Sequence, residues 1–549
     1  MNGQCGKMGV IDTLTGNLAY LVLLILLIIY IPLFIYVRKN PKMAERGIVT
    51  YGPCIMFKTK RGVELLDRIA KHKRFWAAFG VVSKIMAFFL MAMMVFIMLL
   101  WVVRIPQMAG MEGIGAEYAL AIPGLNPMLP LVYGIIGLVV AVVIHEMAHG
   151  IQTRANDMNV EAVGILHMVV PIGAFVEPNE EQINKCGRKA RSSMFAAGIA
   201  VNLTAAIILF LVMSFGLMGT LSASPQNSGY IGDKAAIVNV SAGSPAAFAA
   251  RDSDIGYSSV ILGTWNGITK SIDPMTYDEL MDHNFGLTNT YPIVYQTKDG
   301  VAAFPVDVYM GVYIEGVLEN GPAGKAGIES RSFIVSIDTI PVDNINQFRE
   351  IMKDYGPDGT KYLSKPVIEY AAYENNVLAP SSSVPVDVEY RNGSAYIGVY
   401  ISLSGFSLTT PDTVLEAAKN PFHDASSASD AAYAALSYIG MPWNGYSPIP
   451  QELQWWYSSD FMPDNVFWVL TQAVFWIFWI NLALGICNAL PAVPFDGGYL
   501  MRDGIGAIVD RVKKDAPAEQ REKTANSISS AISYATLFLF IMVFALVIF

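Results

Sequence analysis

Ala141-Val142-Val143-Ile144-His145-Glu146-Met147-Ala148-His149-Gly150 lies in an apolar run that reaches back to Pro130. On a helix the two histidines are four residues apart, so both imidazoles project from one face and can close on a single zinc ion. Glu146 follows the first of them directly. Its carboxylate then stands beside the metal's open position, where it can take a proton from water and later return it to a leaving amine. With six histidines in the chain, chance supplies roughly 0.003 matches to His-Glu-x-x-His. Ionisable groups inside a membrane-length apolar run are costly to bury and read as functional.

The surrounding composition suits such a run. The 549 residues are 53% hydrophobic and 15% charged, with a positive mean hydropathy; an integral membrane protein with room for soluble domains is expected. Cys5, Cys54, Cys186 and Cys487 have no C-x-x-C spacing, which speaks against a disulfide framework or a thiolate zinc knuckle. The net charge of −9 is unevenly spread, and no nucleic-acid partner is implied.

The first apolar run, Gly16 to Val37, is long enough to span a bilayer and is followed at once by Arg38 and Lys39. It reads as an uncleaved anchor with its N-terminus outside. Eleven Lys and Arg residues fall between Arg38 and Arg74, against Arg104 alone between Arg104 and Pro130, so the first connection is expected in the cytoplasm. A second span is expected at Lys84 to Val103 and a third from about Pro130 to Gln152. At 1.5 Å per residue, His145 would lie roughly 22 Å below Pro130, in the cytoplasmic third of the bilayer.

Beyond it, Gly164-Ile-Leu-His-Met-Val-Val-Pro-Ile-Gly-Ala-Phe-Val-Glu-Pro178 is too interrupted for a helix and predicts a short hairpin. Such backbone at membrane depth must line a cavity or be buried in protein. A strand pair that aligns substrate and a purely structural hairpin both satisfy that condition; His167 reads as structural. Lys185, Arg188, Lys189 and Arg191 mark the inner face before a fourth span, Ser193 to about Phe215. There Ala197-Gly198-Ile199-Ala200 lets helices approach closely, and Asn202 is a buried amide near the site or interhelical glue.

From about Leu217 to Asp464 the long apolar runs vanish, and twelve basic residues face twenty-eight acidic ones. By the alternation of spans this block is soluble and outside. Ile237-Val-Asn-Val-Ser-Ala-Gly-Ser-Pro245-Ala-Ala-Phe-Ala249 is echoed by Ile314-Glu-Gly-Val-Leu-Glu-Asn-Gly-Pro322-Ala-Gly-Lys-Ala326 at a period of 77 residues, each followed by an apolar strand and a polar helix-like stretch. The pair resembles tandem PDZ-like domains, which take peptides by strand addition; a steric spacer is the alternative. Asn239 and Asn392 open weak glycosylation sequons. Trp443, Trp455, Trp456 and Tyr457 predict an interfacial stretch before the fifth span, about Val466 to Ala489.

That span ends in Asn488-Ala-Leu-Pro491-Ala-Val-Pro494-Phe-Asp496-Gly497-Gly498. It enters from outside, so it finishes at the depth of the histidines. Asp496, at a Pro- and Gly-rich break, can supply the oxygen ligand that leaves a tetrahedral zinc one open position; Glu161, Glu177 and Glu180 are rivals for that place. Asn481 and Asn488 share a helix face, and either amide could bind a substrate backbone or an oxyanion. Asn526 to Phe549 is the expected sixth span.

His145-Glu146-x-x-His149, Asn488-x-x-Pro491-x-x-x-x-Asp496-Gly497 and Gly173-Ala-Phe-Val176 together resemble the site-2 proteases, intramembrane zinc metalloproteases. The resemblance covers about Pro130 to Phe215 and Val466 to Gly498, and a PDZ insertion between them also occurs in that family. The Gly-Ala-Phe-Val stretch is similar to the subgroup that includes the animal regulator and many archaeal members. Ala489 and Ala492 depart from the bulkier residues often found there, and the tandem pair is more elaborate than in minimal members. The resemblance implies Zn2+ on His145, His149 and Asp496, Glu146 as general base and acid, and substrate contacts from Asn488, Asn202, Gly173 and Phe175. The implied partners are transmembrane protein substrates, the lipid bilayer and peptide termini at the PDZ-like domains.

The expected fold is a polytopic α-helical membrane protein of about six transmembrane helices with an inserted soluble α+β region of two PDZ-like domains. Its expected parts are 1–129, a two-span region with a basic loop; 130–216 and 466–549, the two halves of the catalytic core; 217–308 and 309–410, the PDZ-like domains; and 411–465, an interfacial linker. The PDZ-like domains are expected outside, in the cell membrane's extracytoplasmic space. The rival from another class is a membrane-anchored PDZ scaffold with a silent or structural zinc site.

Overall fold

The computed structural model describes residues 10–108, 123, 126, 129–168, 170–225, 229–286, 289–391, 394–444 and 448–548. Two compact units emerge: one comprises 1–213, 442–445 and 469–549, the other 214–441 and 446–468. Cys5 and Asn392 lie outside the described residues, as does most of the connection from Arg104 to Pro130; Cys54, Cys186 and Cys487 are free thiols.

Among the described residues, five helices are long and apolar enough to cross a membrane: Lys73–Val103, Leu131–Ala155, Arg188–Thr220, Asp464–Asn488 and Ala518–Val543. The expected first span lies within a further helix, Val10–Lys39. In the first unit the Leu131–Ala155 helix packs against Arg188–Leu211 and, through Gly137, against Asp464–Asn488. A Cβ at Gly137 would stand 2.9 Å from the Trp476 carbonyl oxygen, so the close approach depends on a small residue, as in membrane bundles generally.

The predicted hairpin forms, as β3 (Val160–Met168) and β4 (Val170–Pro178), but it is half of a larger sheet. Strands β1 (Ile48–Tyr51) and β2 (Cys54–Thr59), from the basic connection after the first helix, complete an antiparallel order β1-β2-β3-β4. Ile48-Val-Thr-Tyr51 and Cys54-Ile-Met-Phe57 flank a Gly52-Pro53 turn, a hairpin signal masked by the lysines and arginines around it. Lys58 of β2 pairs with Glu177 of β4 at 2.7 Å. His167 packs between Tyr30 and Phe57, a structural role.

After the Asp464–Asn488 helix the chain turns sharply and begins a new helix, Asp496–Val512. The turn needs its glycines: a Cβ at Gly497 would stand 2.4 Å from the Ala489 carbonyl oxygen, and one at Gly498 would stand 2.4 Å from the Ala492 carbonyl carbon. Val493 N–H donates to Ser533 Oγ at 2.8 Å. Buried Asp503 accepts from Arg191 Nε at 3.0 Å, which ties the new helix to the start of Arg188–Leu211. Asp496 is therefore held at a fixed helix start.

In the second unit the 77-residue echo becomes two copies of one element order. Strand Ala235–Val240, helix Pro245–Ala249, strand Val260–Asn266, helix Tyr277–Asp282 and strand Thr290–Thr297 recur as Val312–Val317, Pro322–Lys325, Ser332–Ile337, Ile345–Asp354 and Val367–Glu374. The copies are nested. Strand Phe406–Thr409, expected inside 309–410, pairs with Ala235–Val240 of the first copy, while Val399–Leu403 pairs with Val312–Val317 of the second. The edge left open when the chain exits the first copy is filled only after the second is complete, so one sheet and one apolar core run through both.

The interfacial placement of Trp456 and Tyr457 is not what the structure has. Both are fully buried within this unit, with Trp456 Nε1 on the Ser258 carbonyl and Tyr457 OH on the Pro411 carbonyl, each at 2.8 Å. Their polar tips find protein acceptors, which removes the need for a wet interface. Trp443's side chain lies outside the described residues.

Candidate metal centre

The histidines stand where the helix period puts them, their ring centroids 4.7 Å apart. Asp496, brought in by the turn after Asn488, completes a triangle. His145 Nε2 and His149 Nε2 are 3.1 Å apart, and each is 3.1 Å from Asp496 Oδ2. Donors at about 2.0–2.1 Å from one tetrahedral zinc stand roughly 3.3 Å from each other. The side chains are 7%, 12% and 13% exposed.

The donor chemistry fits a cation. His149 Nδ1 lies 2.8 Å from the Met194 carbonyl oxygen, which can only accept, so Nδ1 carries the proton and Nε2 presents a lone pair. Asn202 Nδ2 lies 3.3 Å from His145 Nδ1; turning the amide over would set its oxygen against an Nδ1–H and give His145 the same tautomer. Asp496 Oδ2 is buried without a hydrogen-bond donor among the described residues. Two lone pairs and a carboxylate oxygen converging in a buried site require a positive charge between them.

The Arg188–Leu211 helix supports both rings, and it approaches them without a side chain. An ideal Cβ on Gly198 would stand 2.5 Å from His149 Nε2 and 2.8 Å from His145 Nε2. Glu146 turns toward β4, where Val176 N–H donates to its Oε2 at 3.1 Å. A carboxylate so held is outside the triangle and fixed in direction by backbone.

The structure brings His145, Glu146, His149, Asp496 and Asn202 together, with Asn202 fully buried behind a ring. Gly173 faces the metal helix, its ideal Cβ 3.7 Å from Val142. Phe175 pairs across the sheet with Gly164 and its ring covers that glycine. Asn488 uses its amide nitrogen on the Leu484 carbonyl at 3.1 Å, and Asn481 likewise bonds Ile477 at 2.7 Å. Glu177, a rival ligand, is committed to Lys58, and Glu161 accepts from Asn179 at 2.8 Å. Sequence reasoning missed Met194, Gly198 and the Val176 amide as supports of the site. The small-residue run around Gly198 was the available signal.

Asn202→Leu is expected to weaken zinc binding about 10- to 100-fold, the usual effect of losing a group that orients a metal-bound imidazole, with little change in the apo protein's melting temperature. Competition with a fluorescent zinc chelator measures it; unchanged affinity would remove Asn202 from the site.

The family model of peptidase family M50 matches residues 133–539 of this chain. An uncharacterized protein of Methanocaldococcus jannaschii is 28% identical over 172 residues, 31% of this chain and 46% of that protein. The chain thus spans under half of that relative's length.

Proposed function

The chain belongs to peptidase family M50, zinc-dependent membrane metalloproteases of the site-2 type, and on that premise we propose that it hydrolyses peptide bonds within transmembrane segments of other membrane proteins. The observation that carries this reading is the buried triangle of His145, His149 and Asp496 with Glu146 beside it and outside it. A structural zinc site would fill all four positions. Here the described residues offer three ligands and a base.

A zinc ion bound by the three would polarise a peptide carbonyl and acidify water at the open position. The chain's own residues do the rest. Glu146 takes a proton from the attacking water and passes it to the leaving amine; Val176 N–H keeps its carboxylate aimed while it does so. Met194 holds the His149 imidazole in the tautomer that leaves Nε2 free, and the Asn202 amide, turned so that its oxygen faces Nδ1, would do the same for His145. A substrate helix must unwind before attack, because its carbonyls are engaged in the backbone ladder. β4 is the outer strand of its sheet and runs beside the metal helix, so an unwound segment can pair along it. This favours the aligning role of the hairpin over the purely structural one, with Gly173 leaving room on that side.

We assign the site to the cytoplasmic third of a cell membrane and the nested PDZ-like pair to the outside, from the distribution of basic residues. There the pair would admit substrates whose outer portion has been trimmed, the arrangement of regulated intramembrane proteolysis.

Cleavage of a single-span reporter in liposomes tests the proposal. Removal of metal with a chelator is expected to abolish cutting, and stoichiometric zinc to restore it. If zinc-loaded protein cuts no member of a panel of trimmed helices, the proposal fails and the membrane-anchored scaffold takes its place.

A further inference from the structure

Asp496 reaches the histidines on a helix of its own, and the packing of that helix fixes where the carboxylate lands. Asp496–Val512 lies antiparallel against Arg188–Leu211, and a row of paired residues marks the alignment. Arg188 covers Gly506, whose ideal Cβ would stand 3.0 Å from the guanidinium carbon. Arg191 Nε donates to both carboxylate oxygens of Asp503, at 3.1 and 3.0 Å. The Phe195 ring stacks on Tyr499, with centroids 4.7 Å apart and planes inclined by 10°. Gly198 faces the two Nε2 atoms that Asp496 Oδ2 also faces. Steps of three, four and three residues along one helix match the same steps back along the other, the spacing at which residues share one face of a helix. The metal triangle is the last rung of this seam.

The rungs differ in how firmly they hold. Stacked rings tolerate an offset, and the Arg188 side chain is 40% exposed and shared with Asp510. Arg191 and Asp503 are 16% and 4% exposed, and Asp503 is the most deeply buried acidic residue among those described. A planar guanidinium that meets a carboxylate through more than one hydrogen bond fixes direction as well as distance. Net stability does not account for such a pair, since desolvation offsets most of the attraction between its charges; setting the register of packed helices is the best-attested use. Register matters here. Sliding one helix past the other by a single residue would carry Asp496 about 1.5 Å along the seam, whereas metal ligands must hold their distances within about 0.2 Å. Asp503 stands seven residues beyond Asp496, and Arg191 seven before Gly198, two turns away in each case. The pair therefore acts on the centre through the helices and not by contact.

We propose that Arg191 and Asp503 are positioning residues of the metal centre: their buried pair sets the register of the two helices and thereby brings Asp496 Oδ2 to the nitrogens of His145 and His149. The inference rests on the reading of that triangle as a zinc site.

The test uses full-length protein in detergent, stripped with a chelator and titrated with zinc against a fluorescent competitor. Asp503→Asn should weaken zinc binding roughly 10- to 100-fold, the usual cost of losing a group that orients a ligand. Arg191→Lys keeps the buried charge paired but gives up the planar fork. It should weaken binding in the same direction with the melting temperature of the stripped protein unchanged, so the pair is read even where Asp503→Asn fails to fold. Asp496→Ala leaves two imidazoles that bind zinc weakly. In that background neither change at the pair should cost anything further, because its effect passes through the missing ligand. A purely structural pair would instead lower the melting temperature and leave zinc affinity alone, or lower affinity equally with and without Asp496. Wild-type affinity in Arg191→Lys, or the same loss in the Asp496→Ala background, would overturn the inference. Zinc bound equally by wild type and variants fails the pair alone, and a wild type that binds no zinc fails the centre itself, so the two failures are separable.

Discussion

Gly198→Ala is expected to cost the chain its metal and its activity together. The added methyl would sit 2.5 Å from His149 Nε2, 2.6 Å from His145 Cε1 and 2.8 Å from His145 Nε2, inside the contact distance of all three. It therefore projects onto the nitrogens that must face the ion. Neither ring can retreat without giving up its support, because His149 is tied to Met194 and His145 to Asn202. The alternative is a shift of the whole Arg188–Leu211 helix, which packs against the metal helix; overpacking of this kind costs about 1–3 kcal/mol. Either response spoils the triangle. Several kcal/mol of transition-state stabilisation leave with the metal, so cleavage should fall on the order of a thousandfold or more. Metal content by mass spectrometry, together with reporter cleavage and the melting temperature of chelated protein, separates metal loss from unfolding. Full zinc occupancy in Gly198→Ala would show that the helix does not approach the site as described.

Glu146→Gln should behave in the opposite way toward zinc. Glu146 is not part of the ligand triangle, and glutamine keeps an oxygen that can accept from Val176 N–H, so metal content and stability should match the wild type. What is lost is the group that moves the proton. General acid–base catalysis contributes about a hundredfold to ten-thousandfold, and cleavage of the single-span reporter should drop by that factor with zinc retained. A variant that still cuts at the wild-type rate would assign the base elsewhere. One that loses zinc would place Glu146 among the ligands.

The chemistry was legible in the chain wherever it depends on one helix. His145, Glu146 and His149 are neighbours by the helical period alone, so the proposed metal pair and its proposed base could be read before any packing was known. Asp496 was accessible by a longer argument, since a second span ending at the same depth in a Pro- and Gly-rich break has few other uses for a carboxylate. The β3–β4 hairpin followed from local turn signals, and the two copies in the second unit followed from their 77-residue echo.

Spacing could not convey what depends on which surfaces meet. Gly198 matters because a helix more than forty residues further along the chain lies against both imidazoles. Asn202 supports a ring because of that same approach. Glu146 is aimed by a backbone N–H on β4, a contact that no side-chain pattern encodes. β1 and β2 join β3 because an edge strand takes whatever partner packing delivers. For the same reason Phe406–Thr409 closes the first copy from beyond the second. Local period and composition thus carried the reactive groups and the approximate spans. The groups that orient them arose from contacts between distant segments, whose free energy depends on complementary surfaces in three dimensions and leaves little trace in the linear order.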